Sequence, residues 1–377
     1  MQVIVNSAQR FVLVLSFATL AVASSSCGAK KSPLAGGSNA GDGSSGAAAT
    51  TAEQLFQDAL ALYNAADYAG AQVKFDELLA TYPGSDRHDN AGYLAGRCRY
   101  EFGDDAGAVT VLERMLSDHP ASLYADNAHY YAARAHFRLA SVAVDPMVAA
   151  TAYGAARAHF AEVLTHDPAG LFADNAQYFL GRCDYELADY ATARTELAQV
   201  EPLYPASPFI DNARYYKARC DFAQQSYALA IPIFQSVVTD FSASIYADAS
   251  QYYVGRSYFE TAAVSGAPSD YNLARNALAA LLAEYPTSGY RDNAQYYIGR
   301  CDYDLGDLAT ALTDFDAVIS TYPTSQYIDN AYYHEVRIYV DQGDCTTAAS
   351  TLAALQAFDS ASPEVPLAET YLANGGC

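Results

Sequence analysis

The sequence predicts an all-α fold, a right-handed α-solenoid of about eight helical hairpins. Three observations predict it. The string Asp-Asn-Ala recurs at Asp89, Asp126, Asp174, Asp211, Asp292 and Asp329, with the variant Asp-Ala-Ser at Asp248. Each copy is followed by two stretches of helical length, separated in four copies by an Ala-Asp or Gly-Asp pair, as at Ala188-Asp189, Gly306-Asp307 and Gly343-Asp344. Four of the eight units close on Tyr-Pro, at Tyr82-Pro83, Tyr204-Pro205, Tyr285-Pro286 and Tyr322-Pro323, where proline removes a donor and clashes with the preceding turn.

The 377 residues suffice for two or three ordinary domains or for one long array. At 51% hydrophobic there is ample material for a core. The 43 acidic side chains against 21 basic ones leave a net charge of −22, which excludes nucleic acid as the main partner and simple adhesion to anionic lipid. With 32 Tyr, 16 Phe and no Trp, the composition reads as a few positions copied many times.

At the N-terminus, residues 1–27 read as an export signal. One basic residue, Arg10, precedes the apolar stretch Phe11 to Ala23, which is shorter than the ~20 residues of a membrane span but suits a signal core. Ser24-Ser25-Ser26-Cys27 follows and resembles a bacterial lipobox, with Ser24 where Leu is usual. The expectation is a lipid on Cys27, the alternative an ordinary cleaved signal with an incidental cysteine. Residues 28–51 are mostly Gly, Ser and Ala and are expected to be a flexible tether.

The array is expected over residues 52–355, with units starting near 52, 89, 126, 174, 211, 248, 292 and 329, and a C-terminal capping segment at 356–377. The spacings give a unit of 37 residues, with 11 extra near Ser141 to Thr151 and seven extra near Ala262 to Ser269. Both insertions are expected to lengthen loops on one edge, at modest entropic cost. The Asp opening each unit is expected to cap the first helix, worth about 1 kcal/mol.

Numbered from that Asp, a unit carries Gly or Ala at position 8, an aromatic at 12, Asp at 16, Tyr at 17, Ala at 20, a bulky apolar at 24, Val or Leu at 27 and Pro at 32. In the fourth unit these are Gly181, Tyr185, Asp189, Tyr190, Ala193, Leu197, Val200 and Pro205. The pattern is similar to the tetratricopeptide repeat (TPR), lengthened by three residues in the inter-repeat turn. That turn, Tyr-Pro-x-Ser-x-Tyr-x-Asp-Asn-Ala at Tyr285 to Ala294 and Tyr322 to Ala331, resembles the repeats of BamD-type outer-membrane lipoproteins and of YbgF/CpoB-type periplasmic proteins.

Two faces of the first helix separate on a helical wheel. With position 2 at zero, positions 5, 9 and 12 fall at about 300°, 340° and 280°, and positions 3 and 10 at about 100° and 80°. Positions 3 and 10 hold small residues, and Cys98, Cys183, Cys220 and Cys301 share position 10. They are expected to be small buried residues rather than redox or metal groups, since no CxxC occurs. Cys345 and Cys377 remain, and a disulfide between them would tie the tail to the last repeat in an oxidising envelope.

The other face carries Tyr93, Tyr130, Tyr178, Tyr215, Tyr252, Tyr296 and Tyr333 at position 5. Position 9 is Arg97, Arg134, Arg182, Arg219, Arg256, Arg300 and Arg337, and position 2 is Asn90, Asn127, Asn175, Asn212, Asn293 and Asn330. The TPR resemblance implies that positions 2, 5, 9 and 12 line a concave groove for extended peptides. Asn can pair with a peptide backbone and Arg with carboxylates. The alternative is an internal ladder, each Arg stacking on Tyr and pairing with Asp at position 1 or 11 (Asp184, Asp221, Asp302).

No zinc-protease helix, Gly-rich phosphate loop or nucleophile elbow occurs, and the seven His are scattered along the sequence. The expectation is therefore no enzyme, no cofactor and no metal. The resemblance implies a periplasm-facing lipoprotein scaffold, touching the membrane only through its anchor. It would hold envelope proteins or extended peptide segments, in outer-membrane protein assembly or in coordinating envelope constriction. A glycan-binding wall protein is the second class, because Tyr and Arg also pair with sugars.

Overall fold

The computed structural model describes residues 46–377, with side chains from residue 51. The expected signal, Cys27 and residues 28–45 of the expected tether lie outside the described residues. Seventeen helices and no strand occur among those described. They form eight consecutive hairpins: α1 (Gly46–Asn64) with α2 (Tyr68–Thr81), α3 (His88–Phe102) with α4 (Asp105–Asp118), α5 (Ala125–Val142) with α6 (Pro146–His166), and α7 (Ala173–Glu186) with α8 (Tyr190–Leu203). Next come α9 (Ile210–Ala223) with α10 (Tyr227–Asp240), α11 (Ala247–Ser265) with α12 (Pro268–Glu284), α13 (Arg291–Asp304) with α14 (Leu308–Thr321), and α15 (Ile328–Asp341) with α16 (Cys345–Phe358). A last helix, α17 (Glu364–Asn374), packs on α15 and α16. Each helix packs chiefly on its chain neighbours, as expected of a helical-repeat solenoid.

One packing rule is copied along the chain. Each second helix buries an Ala, then a bulky apolar residue, then a Val, Leu or Met. In α8 these are Ala193, Leu197 and Val200, and in α14 Ala311, Phe315 and Val318, all 0–1% exposed. The bulky residue needs a notch in the first helix. A Cβ built on Gly181 would lie 2.7 Å from Leu197 Cγ, and one on Gly96 would lie 2.4 Å from Leu112 Cγ. The position-10 cysteines sit on this buried side. Burial pushes the thiols of Cys98, Cys220 and Cys301 up to about 12, so they are unreactive.

The turns inside hairpins are capped from the sequence. Asp67, Asp104, Asp189, Asp307 and Asp344 each accept a hydrogen bond from the amide three residues on, at the start of the second helix. The residue before each Asp is left-handed: Gly103, Gly306 and Gly343 adopt it freely, whereas Ala66 and Ala188 adopt it at φ 60°. The Asp of the repeat motif behaves differently from expectation. First helices from α3 to α15 start one residue ahead of it and carry no side-chain cap. Asp89, Asp174 and Asp329 instead sit in the first turn and accept from the next amide, at 2.7–2.9 Å. The preceding Ser closes the inter-repeat turn, its Oγ accepting from the amide two residues on (Ser122, Ser207, Ser244, Ser288, Ser325).

Both insertions are helical, not loops. The first lengthens α5 and α6 to 18 and 21 residues and leaves a three-residue turn, with Asp145 and Pro146 supplying cap and first-turn proline. The second lengthens α11 and α12 to 19 and 17 residues. Both stretches are rich in Ala, whose helix propensity carries the extra turns. For the same reason α1 begins at Gly46, inside the stretch expected as tether.

Candidate functional site

The repeated Tyr and Arg meet within each first helix. Four residues apart, they share a face, and the guanidinium Nη1 donates to the phenol oxygen in six units. The distances are 3.3 Å (Arg97 to Tyr93), 3.1 Å (Arg134 to Tyr130), 3.1 Å (Arg182 to Tyr178), 2.9 Å (Arg219 to Tyr215), 3.0 Å (Arg256 to Tyr252) and 3.3 Å (Arg300 to Tyr296). In the last unit Arg337 lies 5.6 Å from the centroid of Tyr333. The six tyrosines from Tyr93 to Tyr296 are buried.

Their rings are covered by aromatics that the helical wheel did not single out. From Asp126 on, the aromatic two residues before each repeat Asp stacks on the position-5 Tyr of the preceding unit. Examples are Tyr124 on Tyr93 at 5.7 Å, Phe172 on Tyr130 at 4.0 Å, Tyr246 on Tyr215 at 4.4 Å and Tyr327 on Tyr296 at 4.5 Å. A second aromatic, at position 6, receives the guanidinium of the unit before. Arg97 lies 5.0 Å from the centroid of Tyr131, Arg134 4.5 Å from Phe179, Arg182 3.6 Å from Tyr216, Arg219 4.4 Å from Tyr253 and Arg256 3.8 Å from Tyr297. Each such contact contributes about 0.5–2 kcal/mol. Both positions are visible in the sequence as aromatics recurring with the repeat period.

The acid partners differ from expectation. Asp184, Asp221 and Asp302 are buried, but they pair with Arg157, Arg194 and Arg275 of the preceding second helix, at 2.5, 2.5 and 2.6 Å. Positions 9 and 11 lie about 200° apart on a helix, so one carboxylate cannot serve both faces. The ladder arginines take carboxylates four residues on: Arg182 with Glu186 at 2.7 Å, Arg256 with Glu260 at 2.5 Å, Arg97 with Glu101 at 3.6 Å and Arg300 with Asp304 at 3.9 Å. At the corresponding sites Arg134 meets Arg138 and Arg219 meets Ala223. Neither Arg134 nor Arg219 forms an ion pair among the described residues.

Position 2 is divided. Asn90 donates from Nδ2 to the Tyr124 hydroxyl at 2.8 Å, and Asn330 donates to Glu364 at 2.7 Å. The side-chain amides of Asn127, Asn175, Asn212 and Asn293 have no partner among the described residues, and all four are half-buried. Cys345 and Cys377 are joined as a disulfide with Cα atoms 5.1 Å apart. No described helix is long and apolar enough to cross a membrane.

The sequence model of a family described as YfiO, outer membrane lipoprotein, matches residues 48–183 and 256–366, about two thirds of the chain. No curated protein matches. Among solved structures, the C-terminal part of a TPR repeat-containing protein from Cytophaga hutchinsonii is 15% identical. It covers 73% of this chain, with 98% of its own length matched, at a TM-score of 0.54. A tetratricopeptide repeat protein from Parabacteroides merdae is 14% identical over 86% of this chain and 100% of its own, at a TM-score of 0.37. YrrB, described as a TPR protein with an unusual peptide-binding site, is 15% identical over 56% and 97%, at a TM-score of 0.42. Of these three, the first alone superposes closely enough to bear on the fold, and it supports a TPR-type helical repeat.

Proposed function

The chain belongs to the YfiO family of outer membrane lipoproteins, and from that premise we propose a non-enzymatic scaffold of the bacterial envelope. It is anchored by a lipid on Cys27, faces the periplasm and binds extended protein segments along its first helices. The observation that carries this reading is the row of unspent hydrogen-bonding groups on those helices. Asn127, Asn175, Asn212 and Asn293 keep unpaired amides, and Arg134 and Arg219 have no carboxylate. A peptide supplies what they lack, through backbone N–H and C=O for Asn and side-chain carboxylate for Arg. In this reading Tyr and Arg pack the array first, and the exposed edge of the guanidinium serves the partner. A cationic row inside a chain of net charge −22 also steers acidic segments inward. Assembly of outer-membrane proteins, the BamD-like role, is favoured over the CpoB-like role by the anchor.

The test is recovery of partners from envelope extracts with the double variant Arg134→Gln, Arg219→Gln. Recovery should fall at least tenfold, equivalent to about 1.4 kcal/mol, while the melting temperature drops by only a few degrees. Equal recovery by variant and wild type defeats the reading. Sedimentation with purified peptidoglycan in place of protein recovery would favour a glycan-binding wall protein. Cys27→Ala should move the protein into the soluble fraction, and continued membrane association counts against the anchor.

A further inference from the structure

Four of the seven His come together in one hairpin. His129 and His136 lie two turns apart on one face of α5, and His159 and His166 repeat that spacing on α6. The two helices form one hairpin and interleave the rings. His159 lies 5.1 Å from His129 and 5.7 Å from His136, centroid to centroid, and His129 lies 6.0 Å from His166. Glu113 reaches in from α4. Its Oε1 lies 2.9 Å from His136 Nε2 and 3.5 Å from His159 Nε2, and the three ligand atoms all lie within 4.8 Å of one another.

We propose that Glu113, His136 and His159 form a binding site for one divalent transition-metal ion of the zinc class. Tetrahedral coordination with zinc–nitrogen bonds near 2.0–2.1 Å sets ligand atoms about 3.3 Å apart. The two Glu113 distances straddle that value, so modest rotation of the imidazoles closes the set. Two imidazoles and a carboxylate suit zinc, and they leave a fourth position for water. An outer partner is present as well. His159 Nδ1 lies 2.8 Å from His129 Nδ1. With His159 donating there, its Nε2 lone pair is bare and faces Glu113, the arrangement that orients metal-bound histidines.

The surroundings support this geometry. The His136 and His159 side chains are 15% and 16% exposed, enough for entry of an ion. Zinc would clasp α4 of the second hairpin to both helices of the third, at the level where the array is longest. The expectation of no metal came from the scatter of His along the sequence. Antiparallel packing undoes that scatter.

The experiment is titration of the untagged full chain with Zn2+, followed by calorimetry and thermal melting, and with Co2+ followed by visible absorption. Wild type should take up one equivalent, melt higher with zinc and give a tetrahedral Co2+ spectrum without sulfur charge-transfer bands. His136→Gln and His159→Gln should weaken binding at least tenfold and abolish the spectrum. His129→Gln should weaken it about tenfold through loss of orientation. The double variant His88→Gln, His119→Gln, at the other His pair, should bind as wild type. Should a His variant fail to fold, the exposed Glu113→Gln gives the same readout without disturbing the hairpin. Absence of stoichiometric uptake by wild type overturns the proposal, as does undiminished uptake by the His136, His159 or Glu113 variants.

Discussion

Glu335 illustrates how a single buried group sets a pH dependence. It is 9% exposed on α15, and burial first, with Asp316 second, pushes its carboxyl from the ordinary 4.5 up to about 7. The folded state therefore prefers the protonated form. Below about pH 4.5 folded and unfolded chains are both protonated, and Glu335 costs nothing. As pH rises from 4.5 to about 7 the unfolded chain releases the proton more readily, and stability is lost across that window. Glu335→Gln should flatten that part of the melting-temperature profile, matching wild type at pH 4 and exceeding it at pH 7.5. An unchanged slope would place the titration elsewhere. Asp221, 1% exposed, is held by Arg194 at 2.5 Å. There the partner was missed in the sequence because Arg194 lies on the second helix of the preceding unit, which a wheel of the first helix does not show; the 27-residue separation is the same for Arg157–Asp184 and Arg275–Asp302.

Single helices and their turns were largely legible. Periodicity, Ala-Asp and Tyr-Pro placed the hairpins, because capping and proline stops act within a few residues. The motif Asp was misread because a helix can begin one residue before an acidic side chain as readily as after it, and backbone geometry decides. The insertions were misread because extra Ala-rich residues extend a helix as easily as a loop. Two substitutions test the turn and the notch. Ala188→Gly should stabilise by about 1 kcal/mol, since glycine adopts the left-handed backbone of that turn without strain, as Gly306 and Gly343 do. Gly181→Ala should destabilise by about 1–3 kcal/mol, because its methyl would meet Leu197. Chemical denaturation measures both, and a stabilised Gly181→Ala would show that the notch is not tight.

Across the whole molecule, contacts run between neighbouring hairpins, so stability is a sum of units and interfaces rather than one cooperative core. The end of the array needs a cover. Val336, Val340, Leu352 and Leu355 are buried under α17, whose tail is held to α16 by the Cys345–Cys377 disulfide. In the chain-entropy account a 32-residue separation is worth roughly 3–4 kcal/mol. Cys377→Ser should therefore speed hydrogen exchange in α16 and α17 and leave α3 to α8 unchanged. A uniform rise along the chain would contradict nearest-neighbour stability.

By itself the sequence determined the repeat, the helices and the residues that recur, because local propensity, capping and helical periodicity are written into consecutive residues. It could set Tyr and Arg on one face but not say what would cover them. Only the tertiary structure decided that five of the seven guanidinium groups lie on the next unit's aromatic ring, that the buried aspartates pair with other arginines, and that four distant imidazoles meet. Those outcomes depend on how neighbouring helices are offset and rotated. Side-chain volumes at every interface set that offset jointly, and no single repeat encodes it.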